Sequence, residues 1–79
     1  MKVQLDNGKT VEVDLTQDAY ATGGSFPTAV GMYNGEWYEA HAEDEDGNEY
    51  IVRWTDVNWG VEDEGDACDW DNPDYVQEI

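Results

Sequence analysis

Between Thr28 and Val57 a series of core-type residues recurs on even positions: Thr28, Val30, Met32, Tyr38, Ala40, Ala42, Tyr50, Val52 and Trp54. Side chains of a strand alternate faces with period two, so these nine can share one buried face. Two glycine-bearing triplets interrupt the series, Tyr33-Asn34-Gly35 and Glu45-Asp46-Gly47. A three-residue loop with glycine in the left-handed conformation makes a type I turn plus bulge. The pattern therefore predicts three antiparallel strands. Met32 would face Glu36, Val30 would face Tyr38, Ala42 would face Tyr50, Ala40 would face Val52 and Tyr38 would face Trp54. Two-residue loops would slip the register by one and mix the faces.

The same register sorts the outer face. Glu39 falls opposite Arg53, a favourable cross-strand pair, and Glu43 falls opposite Glu49, a like-charge pair that disfavours the hairpin. Stability alone gives no reason to gather Glu43, Asp44, Glu45, Asp46 and Glu49 at one tip.

The N-terminal stretch reads as a further hairpin. Val3 and Leu5, then Val11, Val13 and Leu15, alternate with polar residues. A loop at Asp6-Asn7-Gly8 sets Val3 against Val11 and Leu5 against Lys9. Thr16 suits the cap of a short helical turn through Gln17–Ala21, and Thr22-Gly23-Gly24-Ser25 reads as a turn. After Val57, Asn58-Trp59-Gly60-Val61 closes the sheet and an acidic segment follows. Within it Asp71 or Asn72 can cap a final helix with Pro73 at its first position. Tyr75, Val76 and Ile79 would dock that helix on the sheet. The expected fold is mainly β or α+β: one domain over residues 1–79, with about five antiparallel strands. Residues 58–79 form its acidic, partly docked C-terminal segment.

Charge narrows the function. The chain of 79 residues carries −17, with 20 Asp and Glu against 3 Lys and Arg. A small domain ordinarily carries a net charge of roughly 2 to 8 in magnitude. Residues 1–35 hold four acids and two Lys, a net of −2; residues 36–79 hold sixteen acids and one Arg, a net of −15. Four Trp, five Tyr and one Phe separate the chain from acidic disordered sequences. A domain of this size buries only about 60% of its unfolded surface, so the aromatics must supply the core. Such a field repels nucleic acid and anionic membrane and attracts a basic partner by fast, salt-sensitive association.

No catalytic set stands out, and the expectation is a protein that is not an enzyme. His41, the single histidine, falls on the outer face between Glu39 and Glu43. Cys68, the single cysteine, cannot form an internal disulfide, and surrounding acid should raise its pKa. Gly23-Gly24 lacks the lysine and the spacing of a phosphate loop. Asp44–Gly47 resembles the middle of a calcium-binding EF-hand loop, but Ala42 and Arg53 stand where the motif needs acids. Asp69–Asp74 has oxygen ligands with Pro73 among them. Weak divalent binding by many carboxylates is expected, with no specific metal site and no cofactor. Met1–Asp6 meets charge before any apolar run, so the expected location is cytoplasmic, without a leader or membrane span.

Three readings of the acid remain: salt adaptation, a weak calcium-binding module, and imitation of nucleic acid. Salt adaptation should spread acid evenly, unlike the −2 and −15 halves. Imitation fits the spacing. Alternate residues on a strand lie about 6.6 Å apart, while a duplex strand carries a phosphate about every 3.4 Å of axis. Strand acids supplemented by loop acids approach that charge density. Two rows are the candidate partner-binding residues. One is the hairpin tip of Glu43, Asp44, Glu45, Asp46 and Glu49. The other is the C-terminal row of Glu62, Asp63, Glu64, Asp66, Asp69, Asp71 and Asp74. Exposed Trp or Tyr beside them would anchor arginines of the partner.

In size, charge and aromatic-rich acidic surface the chain resembles the small acidic proteins by which bacteriophages and mobile elements block host defence through DNA imitation, the anti-restriction and anti-CRISPR inhibitors. The resemblance covers the whole chain at that level and rests on no shared motif. It implies a stoichiometric inhibitor without cofactor, a monomer or small homo-oligomer. The target would be the basic DNA-binding groove of a host protein or CRISPR effector complex, and the site of action the host cytoplasm.

Overall fold

A computed structural model describes residues 1–5, 8–28 and 30–79. It is mainly β. Strands β1 (Lys2–Gln4), β2 (Thr10–Leu15), β3 (Tyr20–Thr28), β4 (Gly31–Asp44), β5 (Glu49–Trp54) and β6 (Tyr75–Glu78) form one antiparallel sheet. The only helical element among the described residues is a 3-10 turn at Glu64–Asp66.

β4 is the spine. One of its edges takes β2 at Ala42–Asp44 and β3 along Gly31–Glu39, end to end; the other takes β5 along Tyr38–Glu43. β1 continues the sheet beyond β2, and β6 continues it beyond β5. The backbone N–H of Thr16 donates to the His41 carbonyl at 2.9 Å, and the ladder resumes at Tyr20 opposite Glu39. Gln17, Asp18 and Ala19 thus stand against Ala40 alone. This bulge lets one chain direction serve both halves of the β4 edge.

The second hairpin forms in the predicted register. Tyr38 faces Trp54, Glu39 faces Arg53, Ala40 faces Val52, Ala42 faces Tyr50 and Glu43 faces Glu49. Gly47 has φ +83°, the left-handed value that a residue with Cβ adopts only under strain. The first hairpin also has the predicted pairing, with Val3 opposite Val11 and the Leu5 N–H donating to Lys9 at 2.8 Å. Of its loop, Asp6 and Asn7 lie outside the described residues.

Three expectations are corrected. First, Tyr33-Asn34-Gly35 is not a turn. β4 runs through it, and Tyr33, Asn34 and Gly35 pair with Phe26, Ser25 and Gly24. Val30 therefore does not face Tyr38, nor Met32 Glu36. Val30 is 97% and Met32 59% exposed, so neither joins the core. Second, residues 17–25 make no helical turn; most belong to β3. Nine ladder pairs along β4 outweigh one cap and a turn signal. Gly24 and Gly35 face each other with φ +128° and +141°, so the Gly-Gly and Asn-Gly pairs mark a twist in a two-stranded ribbon. Third, Pro73 starts no helix. Tyr75 and Val76 pair with Arg53 and Val52 as edge strand β6, and Ile79 stays exposed. A β-branched and an aromatic residue beside an open edge prefer the ladder.

The even face holds the main core: Val3, Leu5, Val13, Ala40, Ala42, Tyr50, Val52, Trp54 and Val76. Trp70 packs edge-on against Trp54 and Tyr38, with ring centroids 5.1 Å apart in each pair. The odd face is not simply solvated, as the alternation had suggested. The β3–β4 ribbon curls over it and brings Phe26 to Tyr75 on β6, 5.2 Å between centroids. Trp37 meets Phe26 edge-on at 4.8 Å, and the Arg53 guanidinium lies 4.4 Å from the centre of the Phe26 ring. Arg53 is buried, and its Nε donates to Glu39 Oε1 at 2.9 Å.

Candidate functional site

The sheet sends its acid to two places. At the β4–β5 tip the hairpin is held by Asp44. Its Oδ1 accepts from the backbone N–H groups of Asp46 and Asn48, each at 2.9 Å. Its Oδ2 accepts from Asn48 Nδ2 at 3.0 Å and from the Tyr50 hydroxyl at 2.9 Å. Asp and Asn make such turns because a short side chain reaches its own backbone two residues on. The Asn48 amide leads the donors that hold the Asp44 carboxyl below its ordinary range, and these bonds outweigh an opposing effect of burial. The Tyr50 hydroxyl is pushed up, chiefly by that carboxylate.

Asp44 is thus an anchor of the tip. The charge offered to solvent is that of Glu43, Glu45, Asp46 and Glu49, all exposed and without hydrogen-bonded carboxylates among the described residues. Glu43 and Glu49 face each other across the ladder. A groove of about 520 Å³ opens beside them, between β2, the hairpin and the end of β6. Glu45, Asp46, Glu49 and Asp44 line it with Glu12 and Glu78, around Val11, Tyr50 and Lys9.

Glu12 and Glu78 were missed from sequence. Glu12 enters because β2 pairs with the far end of β4, a contact between distant segments. Glu78 enters because β6 is a strand with Glu78 opposite Tyr50. The open edge of β5 beside a Tyr-Val pair was the available signal.

The second row lies at the other end of β5, five residues from Glu49, which is about 17 Å along a strand. The two rows are separate surfaces. Three of the second row's acids hold its loop together. Asp63 caps the 3-10 turn, its Oδ1 accepting from the Gly65 N–H at 3.0 Å. Asp69 accepts from the Asp71 N–H at 3.2 Å and from Asn72 Nδ2 at 2.7 Å. Asp74 Oδ2 accepts from the N–H groups of Thr55 at 2.8 Å and Asp56 at 3.1 Å, which ties the loop to the end of β5. Glu62, Glu64, Asp66 and Asp71 remain exposed, with carboxylates in no hydrogen bond among the described residues. Beside them Trp59, 45% exposed, stacks on Tyr38 at 5.0 Å.

The other chemical candidates separate. His41 is exposed on β4, opposite Ile51. Cys68 is half-buried in the loop near Asp56, Asp69 and Asp74. Burial leads, and the three aspartates add, in pushing its thiol up to about 11. At neutral pH it is a thiol rather than a nucleophilic thiolate. No cluster of three or more His, Cys, Asp or Glu side chains suited to a metal ion occurs among the described residues. No helix among them is long and apolar enough to cross a membrane.

The buried charge is structural. Burial pushes the Glu39 carboxyl up. Hydrogen bonds from the Tyr20 hydroxyl at 2.6 Å, Trp37 Nε1 at 3.2 Å and Arg53 Nε at 2.9 Å outweigh it and hold the group below its ordinary range. The only arginine is thereby engaged at Glu39 and Gln77, away from both acidic rows.

No protein-family model matches this chain, and no curated protein or solved structure is significantly similar to it.

Proposed function

We propose that the protein is a DNA mimic: an inhibitor that occupies the basic nucleic-acid-binding groove of a host defence complex, as an anti-CRISPR protein blocking target DNA. The observation that carries this reading is the acidic pole at the β4–β5 tip. There Glu43 stands exposed beside a groove lined by the exposed Glu45, Asp46 and Glu49, which Glu12 and Glu78 also enter. A DNA-binding groove finds its ligand through phosphate charge, and neutralising that charge releases counterions. Carboxylates on a rigid hairpin offer the same field without a backbone to cut. In CRISPR effectors the protein reads the short motif beside the target and holds strands in charged channels, which gives such a mimic a surface to fill. The second row, with Trp59 beside it, offers arginines both carboxylates and an aromatic face.

Acid kept for solubility in high salt would be spread over the surface. Here Ala19–Gly35 is free of charge while the tip and the C-terminal loop are dense with it. On this reading the protein acts stoichiometrically, without cofactor or catalysis, in the cytoplasm of the host cell.

The test is competition. The protein should displace target DNA from a purified CRISPR effector complex at near-equimolar ratio, with affinity that falls steeply as salt rises. A panel of such complexes whose DNA binding is unchanged by excess protein at low salt would remove the reading. Glu45→Lys, Asp46→Lys and Glu49→Lys together should abolish displacement if the tip makes the contact. Reversal of Glu62, Glu64 and Asp66 should do so if the second row does.

A further inference from the structure

Where β2 ends and β3 begins, a groove of about 590 Å³ opens toward the C-terminal loop. Leu15, Ala19, Trp54 and Trp70 give it apolar walls, and Asp18 and Glu64 line it with them. Three distant segments meet there. The bulge between β2 and β3 carries Asp18 and Ala19, Trp54 ends β5, and the 3-10 turn brings Glu64. Trp70 is fixed in place. Its Nε1 donates to the Gly65 carbonyl at 3.2 Å, and its ring packs edge-on against Trp54 and Tyr38. Leu15 is 42% exposed at the end of its strand. Asp18 and Glu64 are exposed, and their carboxylates accept no hydrogen bond among the described residues. No lysine or arginine among the described residues lines the groove.

We propose that this groove seats an arginine side chain of a basic protein partner. Charge complementarity and the mixed lining select that occupant. A purely apolar guest would cover Asp18 and Glu64 without giving either a partner, at the cost of their hydration. A compact, strongly hydrated cation would use the carboxylates but gain nothing from Leu15, Ala19 and Trp70. Arginine uses both kinds of surface. Its methylene stem packs along apolar side chains. Its planar, weakly hydrated guanidinium stacks on aromatic rings while its fork of donors meets carboxylates. Because one hydrogen bond and two neighbouring rings already hold Trp70, little further ordering is needed when the guest arrives. Leu15, Asp18 and Trp70 stand outside both acidic rows, so the groove adds a contact of defined shape to the pull of charge alone.

The arginine seat rests on the proposed function, which supplies a basic partner, yet a small probe tests it without one. N-acetyl-arginine amide is titrated into the whole chain at about 0.15 M NaCl, which screens the general field, and backbone and indole N–H resonances are followed by NMR. The expected result is saturable shifts at the Trp70 indole and at the Ala19 and Gly65 amides. N-acetyl-lysine amide should bind about threefold or more weakly, and the uncharged isostere N-acetyl-citrulline amide should leave those resonances in place. Asp18→Asn with Glu64→Gln should weaken arginine binding about fivefold or more. Asp14→Asn with Glu36→Gln removes the same charge from exposed positions elsewhere and should not. Shifts spread over both acidic rows but absent from Trp70, or equal effects of the two charge pairs, overturn the proposal. So does N-acetyl-leucine amide moving the same resonances more strongly than arginine, which would mark an apolar guest. No host complex is present in this titration, so its failure leaves the DNA competition standing, and failure of that competition leaves the arginine result standing.

Discussion

The two ends of β4 obey opposite rules. At its C-terminal end Asp44 clamps a tight hairpin, and the groove beside it gathers Glu45, Asp46, Glu49 and Glu78 with Glu12, which pairs with the N-terminal ammonium at 2.9 Å, and with Lys9. At its N-terminal end the ribbon with β3 carries no charge from Ala19 to Gly35, and its tip exposes Val30 and Met32. Between them lies the ion pair of Arg53 with Glu39, the more buried of those among the described residues, beneath the Phe26 ring. The contrast indicates that the acid is placed rather than diffuse. The fold pairs and buries Arg53 with Glu39 and uses Asp44, Asp63, Asp69 and Asp74 to hold loops, and it gains nothing from the exposed carboxylates that accept no hydrogen bond. The hairpin would be more stable without the Glu43–Glu49 repulsion, a cost that the proposed binding role accounts for.

The largest expected effect comes from the pair that separates the two ends. Arg53→Met leaves Glu39 half-buried without its cation and takes the guanidinium from Phe26. Breaking a buried pair costs about 3 kcal/mol, so a urea melt should show a loss of that order and increased solvent exposure of Trp37. A variant near wild-type stability would show that the ribbon does not depend on this junction.

Next comes the clamp. Asp44→Ala should lower the melting temperature at neutral pH. Because the folded pKa of Asp44 lies below its ordinary 3.8, its stabilisation is fully present above that value and is lost as pH falls through the lower, folded one. The gap between wild type and variant should therefore close in strong acid; a gap independent of pH would contradict the hydrogen-bond geometry. Smaller, and of opposite sign, is Glu49→Lys. It turns a like-charge pair into a favourable one and should stabilise the hairpin by about 0.5 kcal/mol, while weakening the proposed contact. Smallest is Val30→Asp, at an exposed tip, with a change in stability within about 0.5 kcal/mol. Any effect of that variant on partner binding should leave the salt dependence intact, since the ribbon is not the charged contact.

The sequence disclosed these two ends unequally. The acidic hairpin was legible to the residue because its signals are local and agree: Asp-Gly at the turn, alternation on both arms, and Arg53 falling against Glu39. The ribbon was not. Asn34-Gly35 is a strong turn signal, yet here it lies within a strand opposite Gly24. Gly23-Gly24 hides the alternation of Tyr20, Thr22 and Phe26 that would have revealed β3. Its stability comes from pairing along the whole of β4, which no short window contains. β6 was misread for a similar reason: Pro73 after Asp71-Asn72 fits a helix start, and only the open edge of β5 makes Tyr75-Val76 a strand. The dense acid of the tip and of the C-terminal loop is plain in the sequence. What alternation could not reveal was which of these acids hold loops, as Asp44, Asp63, Asp69 and Asp74 do, and that Glu12 and Glu78 join the tip from distant strands.

The central claim is that the acidic pole exists to be bound. Its most direct test is displacement of target DNA from a purified CRISPR effector complex, with wild type compared to Glu45→Lys, Asp46→Lys and Glu49→Lys combined. The account predicts displacement by wild type that declines steeply with salt, and none by the folded triple variant. Equal displacement by both, with the same salt dependence, would contradict it.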